Sequence, residues 1–509
     1  MPAPPRVSLA KTWTPLDFGL HAFLAVNPLV LGIWAFSFAP MIGGNLFLAV
    51  VLAGFGALLG ALVFGTMAVR WPWTGGDYAW QTRFLDARVG AVLALTSWWL
   101  VVAILAPVYG NVIVLQVLDP LLIHTGPTDL ASWFHGREGT FAASLLAITV
   151  ATAFVGLGMR RAAIAQRVLV AVGAAAFVAV VALLLSGDPN EFRDAFDEQA
   201  SETYGTSPLA SSQILEIGEL DASASEVDAP ATLTLVPLVL LFSFWIGWAA
   251  PLAGEVRTRK PDGVRRALVR AAAASMLTSL LLFVALGRGI TWEFWNEANN
   301  LYWGTVYGTT AATPLPTWPS PVVFATWLSD STLLQVGVVI GMAAWVLGSA
   351  ATLFLAATRV LLAAASDRVL SPSVARTTGD AVPLTALALL VVPACVLAAV
   401  DAYSETFAGW TAIAVVALGL TMMGSGVAAV VSLRREQPLL AVVSAVFVAL
   451  VGLVVAVWLL DPVHGMRTVG AIAFLLLLYA ISAALYAISR RKSRDSLTSA
   501  SGAFGEGGL

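Results

Sequence analysis

Charge is scarce in this chain. Only 11% of its 509 residues are Asp, Glu, Lys or Arg, roughly half the share in soluble globular proteins. That excludes a set of independent soluble domains. There is one cysteine, Cys395, so no intrachain disulfide can form and no cysteine-based metal site can be built. The four histidines, His21, His124, His135 and His464, lack metal-ligand spacing. No phosphate-cradling glycine loop, no paired carboxylate within an apolar run and no Ser-His-Asp set is present. Enzymatic chemistry, ATP-driven transport, a cofactor, a metal and a nucleic-acid partner are therefore not expected. The segment after the N-terminus shows no small-residue cleavage site, so it should be retained. Neither terminus has room for a soluble signalling domain, which argues against a solute-sensing receptor.

What is present is apolar. Hydrophobic residues make up 59% of the chain and mean hydropathy is +0.86. Runs of about twenty such residues are membrane-span candidates. They fall at 16–39, 45–69, 89–117, 140–159, 163–186, 232–255, 270–287, 333–359, 383–400, 407–432, 439–460 and 468–489. With the N-terminus placed inside and the spans alternating, 23 of the 27 basic residues fall on the inner side and 20 of the 30 acidic ones outside. That is the positive-inside pattern, and it supports an even number of spans with both termini cytoplasmic. The expected fold is an all-α polytopic protein of about 12 transmembrane helices in the cytoplasmic membrane. The inner basic loops favour anionic lipid headgroups. The loop 187–231 carries eleven acids against the single base Arg193 and reads as solvated and partly disordered. Loop 288–332, rich in tryptophan, suits short interfacial helices or a lid. The Ser/Gly-rich tail, 490–509, reads as disordered.

The stretch Leu20–Trp34, LHAFLAVNPLVLGIW, organises the rest. It sets Asn27-Pro28 at the centre of an apolar span. Proline lacks an amide hydrogen and drives the preceding residue out of helical geometry. In lipid, such a break survives only where protein or a cavity satisfies the freed groups. Two half-helices are expected, with Asn27 capping the second and Pro28 as its first residue. The amides of Leu29, Val30 and Leu31 then face the break at the positive end of a helix dipole and could receive a carboxylate. An ordinary proline kink is the competing reading. Span 6, LVPLVLLFSFWIGWAAPLAGEV, carries Ser243, Gly247 and Pro251 in the matching place, with Ser243 to Gly247 the expected unwound step. Matched interruptions in two halves point to a transporter site between inverted repeats.

Three segments resemble the amino acid/polyamine/organocation permease superfamily. They are RWPWTGGDYAWQTRFL (Arg70–Leu85), FSFWIGWAAPLAGEVRTRKP (Phe242–Pro261) and RVLLAAASDRVLSP (Arg359–Pro372). The resemblance covers roughly 15–490 in order and topology. It implies two five-span inverted repeats, 16–186 and 232–432, with broken helices 1 and 6. Two extra C-terminal helices at 433–489 and an N-terminal tail at 1–15 complete the chain. It also implies secondary transport of amino acids by alternating access. A polyamine or nucleobase carrier is the alternative, and a polyamine would call for acidic groups that the spans lack. At the first break the sequence departs from the family's Gly-Ser-Gly-Ile, offering Ala25-Val26-Asn27-Pro28-Leu29 instead, so Asn27 would stand in as a polar contact. Some members carry a coupling lysine in span 5. The matching position here is Gly173 and the span has no lysine, which disfavours that form of proton coupling.

A zwitterion needs two opposite partial charges in a dry place, and half-helix ends supply both. The expected substrate site places a carboxylate on the amides of Leu29 and Val30 beside Asn27. The ammonium meets carbonyls of Ala25 or Val26 and of Phe242, Ser243 and Phe244. Phe244, Trp245 and Trp248 flank the second break, at Gly247, and at least one should shape a pocket for neutral side chains. The coupled ion is read as a proton or sodium. Ser349 and Thr352 share a helix face and could offer oxygens to sodium, though gluing helices together is the favoured reading of both. Asp17, His21 and Glu255 are candidates for an inner gate or proton relay, with pairing to nearby arginines the plainer role; the resemblance places Asp77 near the same gate, and its plainer reading is a turn followed by a helix start.

Overall fold

The computed structural model describes residues 9–126, 128–207, 209–217, 229–260, 262–306, 308, 317–378, 381–404, 413–460 and 468–505. Among them the secondary structure is helical, apart from one isolated bridge between Trp13 and Val256. Among the described residues eleven helices are long and apolar enough to cross a membrane. The remaining span, the first, is divided into Pro15–Val26 and the pair Pro28–Gly32 and Ile33–Ser37. The expected twelve are therefore present, and the start of span 10, 407–412, lies outside the described residues.

Span 8, Thr332–Ser366, is the axis of the bundle. Within its most apolar window 89% of residues are buried, against 22% for span 12 and 28% for spans 5 and 9. Lipid gives apolar helices no reason to associate, so close packing must come from small residues. Span 8 supplies them in its Ala-rich run from Gly348 to Ala365, all of it buried. Gly56 and Gly60 in span 2, Leu46–Arg70, act likewise. A Cβ at Gly56 would lie 2.4 Å from Leu240, and one at Gly60 would lie 3.1 Å from Phe447.

Two expectations need correction. Span 6 does not come apart. The α-helix Ala229–Ser243 changes at Phe244 into a 3₁₀-helix that continues to Glu255. Runs of 3₁₀ longer than about four residues are uncommon, so the site of disturbance is as expected but its form is tighter winding. Secondly, the acidic loop is folded over its described part. Helix Pro189–Tyr204 buries Phe192, Phe196 and Ala200, and Ala210–Ile217 buries Ile214. Both phenylalanines pack on Phe294 and Phe324. The acids Glu219, Asp221, Glu226 and Asp228 lie outside the described residues. The last helix, Val469–Gly505, runs on into the tail segment 490–509.

Candidate functional site

At the first break the helix stops at Val26, and Asn27 adopts φ −27°, ψ 105°. Its side-chain Oδ1 accepts from the Leu29 amide at 3.1 Å, and its carbonyl accepts from the Val30 amide at 3.0 Å. The asparagine is thus the cap of the second half-helix. The two amides expected to hold a carboxylate are already engaged by Asn27, so a carboxylate would have to compete for them. Asn27 itself offers a donor: its Nδ2 is buried and has no hydrogen-bond partner among the described residues. The carbonyl of Val30 accepts from Gln116 Nε2 of span 3 at 2.8 Å. Nothing in the sequence singled out Gln116.

Both disturbances meet at one cleft. Val26, Gly32 and Phe36 line it from span 1, Ser243 from span 6, and Ser275 and Ser279 from span 7, around a cavity of about 20 Å³. A second cleft of the same volume lies beyond Leu29 and Val30, against Gln116, Trp318 and Trp345. Each admits a water molecule and is too small for an amino acid. Ser275 Oγ is a further buried group without a partner among the described residues. Ala25 and Val26 are buried at the end of the first half-helix.

The aromatic residues of span 6 divide. In a 3₁₀-helix residues three apart eclipse, so Trp245 and Trp248 lie in contact, their rings tilted by 57° with 4.8 Å between centroids. Trp248 also contacts Trp98 of span 3 at 4.4 Å, and its Nε1 donates to the Thr352 carbonyl at 3.2 Å. Phe244 turns away from the first break, onto Phe447, and with Trp245 lines a separate cleft of about 10 Å³ near spans 10 and 11. The side chain of Phe242 lies outside the described residues. Gly247 faces Phe64, whose ring would lie 2.9 Å from an added Cβ. At Gly173, where the resemblance would place a lysine, Trp345 fills the space, 2.1 Å from an added Cβ.

Ser349 and Thr352 are both buried. The Ser349 hydroxyl pairs with Tyr109 Oη at 3.1 Å, and Thr352 Oγ1 donates to the Ser349 carbonyl at 2.7 Å. Both hydroxyls therefore join helices or bond to their own helix. Among the described residues no group of three or more His, Cys, Asp or Glu could hold a metal.

At the arginine-rich end, the buried acids find partners. Asp17 receives two hydrogen bonds from Arg167, at 2.7 and 2.9 Å, and caps its own helix through Thr14. Glu255 receives two from Arg359, at 2.8 and 3.1 Å, with both side chains fully buried. Trp13 ties these parts together. Its amide donates to the Glu255 carbonyl, its carbonyl accepts from Arg257, and its indole donates to Met159. The opposite end is covered too, where Trp303 stacks on Phe38 at 4.3 Å and donates to Ser37.

The three segments that carry the family resemblance converge at the arginine-rich end. Gly75 donates its amide to the Pro251 carbonyl at 2.9 Å. Arg83 grips Asp367 with two bonds of 3.0 Å. Gly76 has φ +32°, and a Cβ there would lie 2.4 Å from the carbonyl carbon of Ala250. Gly76→Ala is accordingly expected to cost about 1–3 kcal/mol in backbone strain alone. The detergent-solubilised variant should unfold at a clearly lower temperature than the parent; equal melting would contradict this contact.

A family model described as amino acid permease matches residues 20–499 of the chain. No curated protein matches it.

Proposed function

The chain belongs to the amino acid permease family, and from that premise we propose that it is a secondary active carrier of neutral amino acids working by alternating access. Its family is one of transporters of amino acids and related organocations, embedded in the membrane. In this reading the membrane is the cytoplasmic one and the arginine-rich end faces the cytoplasm. Spans 1–5 (16–186) and 6–10 (232–432) are the two inverted repeats, with 433–489 appended.

One observation carries the reading of the site. Asn27 breaks span 1 next to Val26, which lines a cleft together with Ser243, and the Asn27 Nδ2 is a buried donor without a partner among the described residues. Leaving such a donor unmet costs about 1–3 kcal/mol, and a substrate carboxylate would satisfy it. Carbonyls of Ala25 and Val26, at the end of the first half-helix, supply the complementary negative field for an ammonium. The cleft is too small for substrate while both ends are covered, so loading must separate spans 1 and 6. No acidic side chain among the described residues lines it, which favours neutral amino acids over polyamines.

Purified protein in liposomes should exchange labelled neutral amino acids. The same molecules with the carboxylate removed should compete at least about tenfold less well, since a hydrogen bond to a charged group contributes about 1.5–3 kcal/mol. Equal competition by the decarboxylated amines would remove the carboxylate from the site.

A further inference from the structure

Asp77 differs from the other buried acids at the arginine-rich end. It is 3% exposed, at the start of helix Gly76–Phe84. Its Oδ2 accepts from Trp98 Nε1 at 3.1 Å, and its Oδ1 accepts from the Ser425 hydroxyl. Both donors are neutral. The charged groups on the elements packed against this helix are otherwise committed. Glu255 of span 6 and Arg359 of span 8 hold each other, and Arg83 of its own helix holds Asp367. Asp86 and Arg88, at the start of span 3, are exposed, and the described part of span 10 (Ile413–Leu433) has no ionisable side chain. Tyr78, the neighbouring phenol, is held neutral by burial, which raises it well above its ordinary value.

A carboxylate buried among neutral donors favours its protonated form. Burial pushes the Asp77 carboxyl up to about 7, against the opposing pull of Ser425 and Trp98. The surrounding network is one hydrogen short. Gln81 Nε2 donates to the Thr421 carbonyl and to Ser425 Oγ, each at 2.8 Å, while Gln81 Oε1 is buried without a partner among the described residues. A protonated Asp77 can donate to Ser425. That frees the serine's own hydrogen for another acceptor.

We propose that Asp77 is the proton-binding group of this carrier, loading and releasing one proton per transport cycle, an inference that rests on the transport reading above. The route to the substrate site is short. Trp98, which donates to Asp77, lies 4.4 Å from Trp248 in the 3₁₀ part of span 6. The residues before Asp77 are seated on that same segment, through Gly75 on Pro251 and Gly76 on Ala250. Charging Asp77 therefore alters the wall against which span 6 is wound.

Two measurements on the purified protein test this. In liposomes, a pH gradient of one unit should drive up to about tenfold accumulation of a labelled neutral amino acid for one coupled proton. Asp77→Asn should continue to exchange that amino acid but accumulate it no more than about onefold. Asp77→Asn accumulating like the parent, or a parent that exchanges without accumulating, would overturn the proposal. Infrared titration in detergent needs no substrate. A carboxyl band should appear as pH falls through about 7, be missing in Asp77→Asn, and titrate about one unit higher in Ser425→Ala, which keeps the acid but removes a donor to its charged form. An acid that stays ionised throughout this range overturns the proposal whatever the transport result. A titrating Asp77 in a protein that exchanges no amino acid supports the proton site and removes the amino-acid reading instead.

Discussion

Glu255→Gln is expected to be the most destabilising single change of charge in this protein. Glu255 and Arg359 are both fully buried and joined by two hydrogen bonds. Neutralising the acid leaves the charge of the guanidinium uncompensated in a dry site, where Thr358 Oγ1 accepts from Arg359 Nη1. Breaking a buried pair from one side costs about 3–5 kcal/mol, whereas replacing both partners by apolar residues of similar volume is often neutral or better. Glu255→Gln should therefore unfold at a much lower temperature in detergent, and Glu255→Met combined with Arg359→Met should recover most of the loss. A single variant as stable as the parent would mean that water or another group reaches Arg359. The pair also sits where the Glu255 carbonyl accepts from Trp13. Its loss should loosen span 1, span 6 and span 8 from one another at that end, and uptake should fall along with stability.

Much of this architecture could be read from residue types. Apolar run lengths gave the spans because a bilayer fixes the length that must be apolar. Asn27-Pro28 was legible because a missing amide and a restricted preceding residue leave few helical alternatives. Residues such as Phe192, Phe196 and Ala200 also carried a signal, recurring every four residues as a helix face does. The density of acids around them obscured it. The winding of span 6 was not legible. Ser243, Gly247 and Pro251 mark a weak point in an α-helix, but the choice between unwinding and tightening depends on what packs there. Here Phe64 fits against Gly247, and Trp98 lies against Trp248.

Pairings across the bundle were hidden for a related reason. Glu255 and Arg359 are 104 positions apart, and Asp17 and Arg167 are 150 apart. Charge counting places all four on one side of the membrane but cannot choose partners among so many arginines. The same limit applies to Gln116 and Ser275, whose importance comes from the clefts they line. The convergence of the three resembling segments explains why each alone carried little information. The glycines of the first are spaced to meet the backbone of the second, and Arg83 of the first meets Asp367 of the third.

Asn27→Asp should have the largest effect on transport. Aspartate caps helices about as well as asparagine, so its oxygen can still accept from the Leu29 amide, as Asn27 Oδ1 does at 3.1 Å. What changes is the other side-chain atom. The buried Nδ2 donor becomes a second oxygen, in a place where the proposed site receives a carboxylate. A lost hydrogen bond to a charged group is worth about 1.5–3 kcal/mol, or roughly 10- to 150-fold in affinity, and like-charge repulsion adds to it. Apparent affinity for neutral amino acids in liposomes should therefore fall by at least about tenfold where the aspartate is ionised, and the melting temperature should fall as well, because Asn27 is buried and a charge there is costly. Asn27→Ala separates the two contributions. It removes donor and cap together, so it should lose about 1 kcal/mol of stability and lose less affinity than the aspartate. An aspartate variant that transports with unchanged affinity would place the carboxylate elsewhere, and the break in span 1 would then serve the movement of the helix rather than recognition.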